Sequence, residues 1–541
     1  MTVVVGLLPA LILFAGALLG LLPLPFPPRS LKWIPIVASG LALLAIFGLA
    51  RTSELFTLFP PNEALPALSL TLQWNGIALV FGLVMLAALC GRFLIGWETD
   101  TRAFVMGALV SAGGALLFFA ADNFTTVASA WILVELGLLI VPAEEGKAQE
   151  AAARAFGWNL AAIVLWLTAG MVASNLGSSL RLDEVALDAT SAFLVLVAIW
   201  IRSGIYPVQV TATANSNSLG VRLGLPFLLG GYLLTRFLMQ GSAAIAFGAE
   251  LKILTLLAVG ASALIIVGQM HGSDALTWSV RAVGATMLLL PLFISPRAAL
   301  AVSVWLAPAL YVVCHFLELA MQWRAEPPRL RLTMAIWIAV LLMLAGLPLA
   351  PTFWTRVGLL ASAYATAGIF LWLLLVATMS LLLIPVWREI FASGQVAPRE
   401  PTYFDYAALA LVGLPALGLS VVPFVFLAPF GNAAQASGAQ VYNALFQPTN
   451  VASLIFLLAG IGVPLLASFE LARRWTPRAN LLPLPVTNAL DLTGVSIFLD
   501  RGYRLVRALV QQGITVLEQP PMAWLLFLII WVAIWIIGLS R

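Results

Sequence analysis

Sixteen apolar runs follow one another through the chain, all but one of about twenty residues and each long enough to cross a hydrocarbon core of about 30 Å as a helix. They lie at 4–24, 31–50, 74–96, 103–121, 124–142, 153–174, 190–208, 223–240, 250–270, 279–295, 298–322, 332–366, 369–391, 406–430, 449–470 and 522–539. Backbone polar groups in lipid must be satisfied internally, so spans of this kind are helices unless they close into a barrel. The runs lack the alternation of apolar and polar residues that a membrane barrel needs. The expected fold is therefore an all-α polytopic membrane protein.

The composition agrees: 62% of the 541 residues are hydrophobic and only 9% are charged, whereas soluble domains carry about 25% charged residues. No connection is long enough for a soluble catalytic domain. The first run has no basic residue ahead of it and no clear small-residue cleavage site, so it reads as a retained span. Cys90 and Cys314 both fall inside predicted spans; they support no disulfide framework, zinc site or iron–sulfur motif. The net charge of +4 does not point to nucleic acid, because the basic residues follow the membrane topology. Connections after odd-numbered runs hold nineteen of them and the other connections and ends hold five. The positive-inside rule places the odd connections in the cytoplasm and both chain ends outside; the expected location is a bacterial-type inner membrane.

Two runs look broken. The seventh runs into TATANSNSLG, where Asn, Ser and Thr compete for backbone hydrogen bonds. The twelfth carries GLPLAP at 346–351, where two prolines remove helix donors. A break at membrane depth survives where it is buried in protein or lines a wet cavity; each break is either part of an internal path or a packing kink. Residues 495–519, with Arg501, Arg504 and Arg507 three apart, read as an amphipathic helix on the cytoplasmic membrane surface or against a neighbouring protein.

Ionisable residues inside spans are costly in lipid and so are the candidate functional residues. They are Glu135, Arg202, Arg236, His315, Glu318 and Arg356. His315 and Glu318 are three apart and share a helix face. Arg202 and Arg356 each sit beside a broken run. Together the six form either a charged axis for proton movement or a set of structural groups. In the second case Glu135 and Arg202 pair, His315 bonds a carbonyl, and Arg236 snorkels to the interface.

Five segments carry a resemblance: AADNF at 120–124, Trp131 with Glu135, IRSGIYP at 201–207, LLGGYLLTRF at 228–237 and GLPLAPTFWTRVGLL at 346–360. In order and spacing they resemble the antiporter-like membrane subunits of respiratory complex I, Mrp-type cation/proton antiporters, membrane-bound hydrogenases and bicarbonate-uptake complexes. The likeness covers about residues 70–430. It implies a fourteen-helix core of two inverted five-helix repeats with helices seven and twelve broken. The added span, surface helix and last span resemble the distal complex I subunit with its lateral helix. The implied divisions are 1–122, a first repeat at 123–270, a second at 271–430 and a C-terminal extension at 431–541.

The departures from that family are as informative as the matches. The family's glutamate directly follows the tryptophan of helix five; here Ile132 takes that place and Glu135 lies nearly one turn on. The family's helix-seven lysine falls on Arg202, and the histidine after it on Gln209. Its helix-eight lysine falls on Leu228, while Tyr232 and Arg236 fit. Its helix-twelve charge falls on Arg356. The helix-eleven histidine and lysine fall near Pro308 and Val312, with His315 close by. Only three lysines occur, Lys32, Lys147 and Lys252, none in mid-membrane. A buried lysine can give up its proton at working pH, whereas arginine does not.

The expected function is thus an antiporter-like subunit of a complex I-type assembly, associated with proton translocation but with its own channel weakened. The resemblance implies partner membrane subunits and puts flavin, iron–sulfur clusters and quinone in those partners, with no cofactor or catalytic residue in this chain. The alternatives are a subunit of a cation/proton antiporter or bicarbonate-uptake complex, or a purely structural membrane subunit.

Overall fold

The computed structural model describes residues 2–21, 33–49, 55–59, 70–95, 100–142, 146–175, 180–182, 184–206, 218–239, 249–268, 272–293, 296–325, 330–347, 350, 352–393, 403–421 and 451–474. The chain divides into two compact units, Met1–Leu481 and Leu482–Arg541, and all described residues lie in the first. The surface helix expected at 495–519, the last span at 522–539, and Pro207 and Gln209 lie outside the described residues.

The first unit is a bundle of helices. In chain order they are α1 (Thr2–Leu21), α2 (Trp33–Leu49), α3 (Gly76–Ile95), α4 (Arg102–Ala120), α5 (Phe124–Ile140), α6 (Gly146–Asn175) and α7 (Ala189–Ser203). A π-helical segment, Gly220–Gly224, leads directly into α8 (Leu225–Met239). Then come α9 (Ala249–Gly268), α10 (Gly272–Phe293), α11 (Pro296–Ala325), α12 (Leu330–Ala345), α13 (Thr352–Leu382), α14 (Ile384–Ser393), α15 (Tyr403–Val421) and α16 (Val451–Arg474). Among the described residues, four stretches are long and apolar enough to cross a membrane: Gly76–Leu94, Arg102–Ala120, Ala152–Asn175 and Trp372–Phe391.

The helical expectation holds, with one addition and one correction. Leu55–Phe59 (β1) and Leu70–Gln73 (β2) pair antiparallel. Both strands precede α3, in a connection that the apolar runs left unassigned. The connection expected at 366–369 is absent, because α13 runs unbroken through it. That segment has no proline, and the interruption falls instead at Leu383, two residues before Pro385, where the proline ring disfavours helix ahead of it.

Local chemistry sets the ends of the helices that matter. The Asn123 side chain accepts from Thr126 N at 2.8 Å and caps α5. Asp188 accepts from Ser191 N at 2.9 Å and caps α7. Such caps satisfy donors left orphaned in the first helical turn. Helix α7 ends one residue after Arg202, where Gly204 turns the chain at φ 61°. Helix α12 ends at Ala345, where Gly346 does the same at φ 67°. The break expected in the twelfth run is therefore present, and α7 stops five residues short of the seventh run's expected end.

Helices α4 and α5 lie very close together. A Cβ on Gly107 would stand 2.6 Å from Val141 N, and one on Gly114 2.7 Å from Val134 N. Ser111 Oγ, between them, bonds Gly107 O at 2.7 Å and reaches Val134 O at 3.3 Å. Small residues at this spacing let two backbones approach without side chains between them. The contact fixes the depth of α5 and of what it carries. Beside it, Phe81, Phe118, Phe119, Trp131 and Tyr232 form a buried set of edge-to-face ring pairs.

Candidate functional site: buried charge clusters

The six ionisable residues expected inside spans are all buried. Among the described residues, five of them fall into three clusters and Arg356 stands apart, and the structure adds members the sequence reading did not single out.

The first cluster joins α5, α6 and α7. Arg202 Nη1 donates to Glu135 Oε1 and lies 3.4 Å from Asn159 Oδ1. The guanidinium sits over the Trp131 ring, 5.4 Å from its centroid. Trp131 Nε1 in turn donates to Asn159 Oδ1 at 3.3 Å. Trp131 and Glu135 are four residues apart, so they share one helix face, and Arg202 rests against both. A cavity of about 40 Å³ adjoins the pair, lined by Glu135, Ala152, Asn159, Arg202, Arg222 and Pro226 among others. That is above the roughly 10–15 Å³ needed to hold one water. Asn159 and Arg222 carried no signal in sequence: the first looks like an ordinary polar residue in a span, the second like a cytoplasmic loop charge.

The second cluster is built on Arg92, in the last turn of α3. Its Nη1 and Nη2 hold Asp100 at 3.0 and 2.8 Å, and its Nε donates to Glu318 Oε1 on α11. The guanidinium also stacks on Phe104 at 4.8 Å. Glu318 Oε2 accepts the backbone N–H of Gly220, the first residue of the π segment, at 2.9 Å. His315 Nδ1 stands 4.0 Å from the same oxygen. His315 does not bond a carbonyl: among the described residues neither ring nitrogen has a hydrogen-bond partner. Arg92 was counted with the cytoplasmic connections, yet its side chain is fully buried.

The third cluster holds Arg236. It does not snorkel: the residue is 2% exposed. Its Nη1 donates to Tyr232 Oη at 3.1 Å, and its Nη2 lies 3.6 Å from Asp122 Oδ1. Tyr232 Oη donates to Phe119 O. Asp122, between α4 and α5, also receives Arg181 Nε at 2.8 Å. Its backbone is pinned on both sides, N–H to Thr71 O and C=O to Leu182 N–H. This is where β2 earns its place in the fold, since Leu72 bridges Ala121 and Asn123 bridges Arg181.

Arg356 stands apart in the first turns of α13. Its Nη2 donates to Leu344 O at 2.6 Å, across the break. It therefore satisfies a carbonyl orphaned at the end of α12, the favourable place for a cation on a helix. Among the described residues no carboxylate lies within ion-pair reach of it.

No protein-family model and no curated protein matches the sequence. Solved structures do match in fold. A chain of the Mrp complex from Dietzia sp. DQ12-45-1b superposes with TM-score 0.70 at 17% identity, over 100% of this chain and 63% of that one. This chain thus spans a little under two thirds of the Mrp chain's length. A chain of respiratory complex I from Thermus thermophilus matches with TM-score 0.64 at 18% identity, over 82% of this chain and 100% of that one. A chain of the membrane-bound sulfane sulfur reductase, an archaeal respiratory membrane complex, matches with TM-score 0.66 at 16% identity, over 97% and 99%. The fold is that of the antiporter-like membrane subunits which the sequence segments resemble.

Proposed function

We propose that this chain is an antiporter-like membrane subunit of a multi-subunit, ion-translocating assembly, in which Arg202 supplies a fixed positive charge beside Glu135. The observation that carries the reading is the Arg202–Glu135 pair at the end of helix α7, next to a cavity with room for water. The fold likeness to chains of an Mrp complex, of complex I and of a respiratory reductase supports the subunit role. Because arginine keeps its proton in proteins, the pair holds charge without alternating between charged and neutral states. We read the chain as coupling or spacing neighbouring subunits electrostatically, its own proton route weakened.

The same reading sets the remaining expectations: about sixteen spans, inverted repeats, both ends outside, a bacterial-type inner membrane, and redox cofactors held by partners. The alternative is a cation/proton antiporter or bicarbonate-uptake complex, favoured by the Mrp likeness. Gentle purification of the native assembly with identification of every co-purifying chain by mass spectrometry separates them. Quinone-reductase and iron–sulfur chains support the complex I-type reading. A set of cation-antiporter chains, or a soluble zinc protein, overturns it in favour of the alternative. A chain that purifies alone defeats the subunit role altogether.

A further inference from the structure

One oxygen of Glu318 faces two donors and serves one. Oε2 accepts the Gly220 N–H at 2.9 Å, while His315 Nδ1 waits at 4.0 Å. His315 is fully buried, and among the described residues both its ring nitrogens lack a hydrogen-bond partner. A buried polar group left unmade is costly, and native structures hold few of them. An unmade donor of this kind needs a physical account.

The neighbouring backbone points to one. Gly220 opens a five-residue π segment that flows into α8. A π turn carries one more residue than the α turn it replaces, and such turns recur at functional sites. Leu219 offers no side-chain cap to this turn, so Glu318 caps it from α11. A Cβ on Gly220 would collide with the His315 ring, and one on Gly224 would stand 3.0 Å from Cys314 Cβ and from the Tyr311 ring. The two glycines leave bare backbone against α11, a smooth track for small displacements. Arg92 meanwhile anchors the other Glu318 oxygen, and Asp100 anchors Arg92.

We propose that Glu318 exchanges the Gly220 amide for His315 Nδ1–H when the π segment shifts along α11. His315 is then a positioning residue that stabilises the shifted state. Arg222, two residues beyond Gly220, lines the cavity beside Arg202 and Glu135, so the same shift moves a wall of that cavity. The exchange needs no titration of Arg202 and holds whichever ion the assembly moves.

Hydrogen–deuterium exchange of the full-length protein, read by mass spectrometry on a peptide spanning 218–228, tests it. The variants are His315→Asn, whose amide N–H lies near the imidazole Nδ1 position, His315→Gln, whose amide reaches toward Nε2, and apolar His315→Leu. The shifted state frees the Gly220 amide, so removing its stabilising donor slows exchange there by about tenfold in the Leu and Gln variants, while Asn stays within about twofold of wild type. Equal exchange in all four proteins, or Asn slowed like Leu, overturns the proposal. Should His315→Leu fail to fold, the Asn and Gln variants decide it: Asn unlike Gln supports the exchange, Asn like Gln refutes it.

Discussion

Arg202 and Glu135 form an ion pair that neither residue's own helix can satisfy. Arg202 closes α7 and Glu135 lies on α5, with Asn159 of α6 and the Trp131 ring completing the contact. A buried pair of this kind is worth little against an apolar replacement of both partners but is costly to halve. Glu135→Leu alone and Arg202→Met alone are each expected to cost about 3–5 kcal/mol, and the double variant much less than their sum. Thermal unfolding of the purified single and double variants measures this. Additive losses would show that the pair is only a contact of convenience.

Arg202→Lys replaces a permanent cation by one that can lose its proton on burial. In proteoliposomes loaded with a pH-sensitive dye, the Lys variant is expected to leak or carry protons faster than wild type. Identical rates would mean that the barrier lies elsewhere than at residue 202.

The α4–α5 contact predicts sharp sensitivity at two glycines. Gly107→Ala and Gly114→Ala each set a methyl against backbone of the facing helix and are expected to cost about 1–3 kcal/mol by overpacking. Gly48→Ala on α2, where a Cβ meets nothing within 4 Å, is the control and is expected to be neutral or mildly stabilising. Unfolding midpoints of the three variants decide it.

At the break between α12 and α13, Gly346→Ala forces an L side chain into φ 67° and toward Arg356 Cβ at 2.8 Å. The left-handed conformation alone costs about 1–2 kcal/mol. Arg356→Gln, which keeps a donor for Leu344 O, is expected to be milder than Arg356→Leu, which orphans that carbonyl. The comparison is again read in unfolding midpoints.

Asp188 gives a dependence on pH. The Ser191 hydroxyl and N–H, donating to its carboxylate, hold its pKa below the ordinary carboxylate value. A pKa lowered in the folded state stabilises above the unfolded value and loses that stabilisation as pH falls through the folded one. Protection factors at the start of α7, which divide out the intrinsic pH dependence of amide exchange, are therefore expected to fall on acidification in wild type and to be flat with pH in Asp188→Asn. Parallel profiles would remove the cap from the account.

Much of this was legible in the sequence because it rests on local rules. Apolar runs mark the helices, and the glycine and proline content of 346–351 marks the break after α12. Glu135 and Arg202 stand out as charges in apolar surroundings. Asn159, Arg222 and Arg92 were not legible for a common reason: each looks unexceptional in its own stretch, and only the neighbours that folding brings show its part. Arg92 lies near the end of a run, where a basic residue is ordinary; its burial depends on Glu318, 226 positions away. The β1–β2 pair was missed because its strands are short and sit in a connection. The two departures that weakened the family match, the displaced glutamate and the lysine-to-arginine change, turn out to meet in one ion pair.

The bond from Arg356 to Leu344 has a mechanical consequence. A chain interrupted at Gly346 would ordinarily hinge there, each half-helix free to tilt on its own. A guanidinium rooted in one half and fastened to the last turn of the other acts as a splint across the gap. Tilting α12 away from α13 must then break that bond, so the break resists hinging.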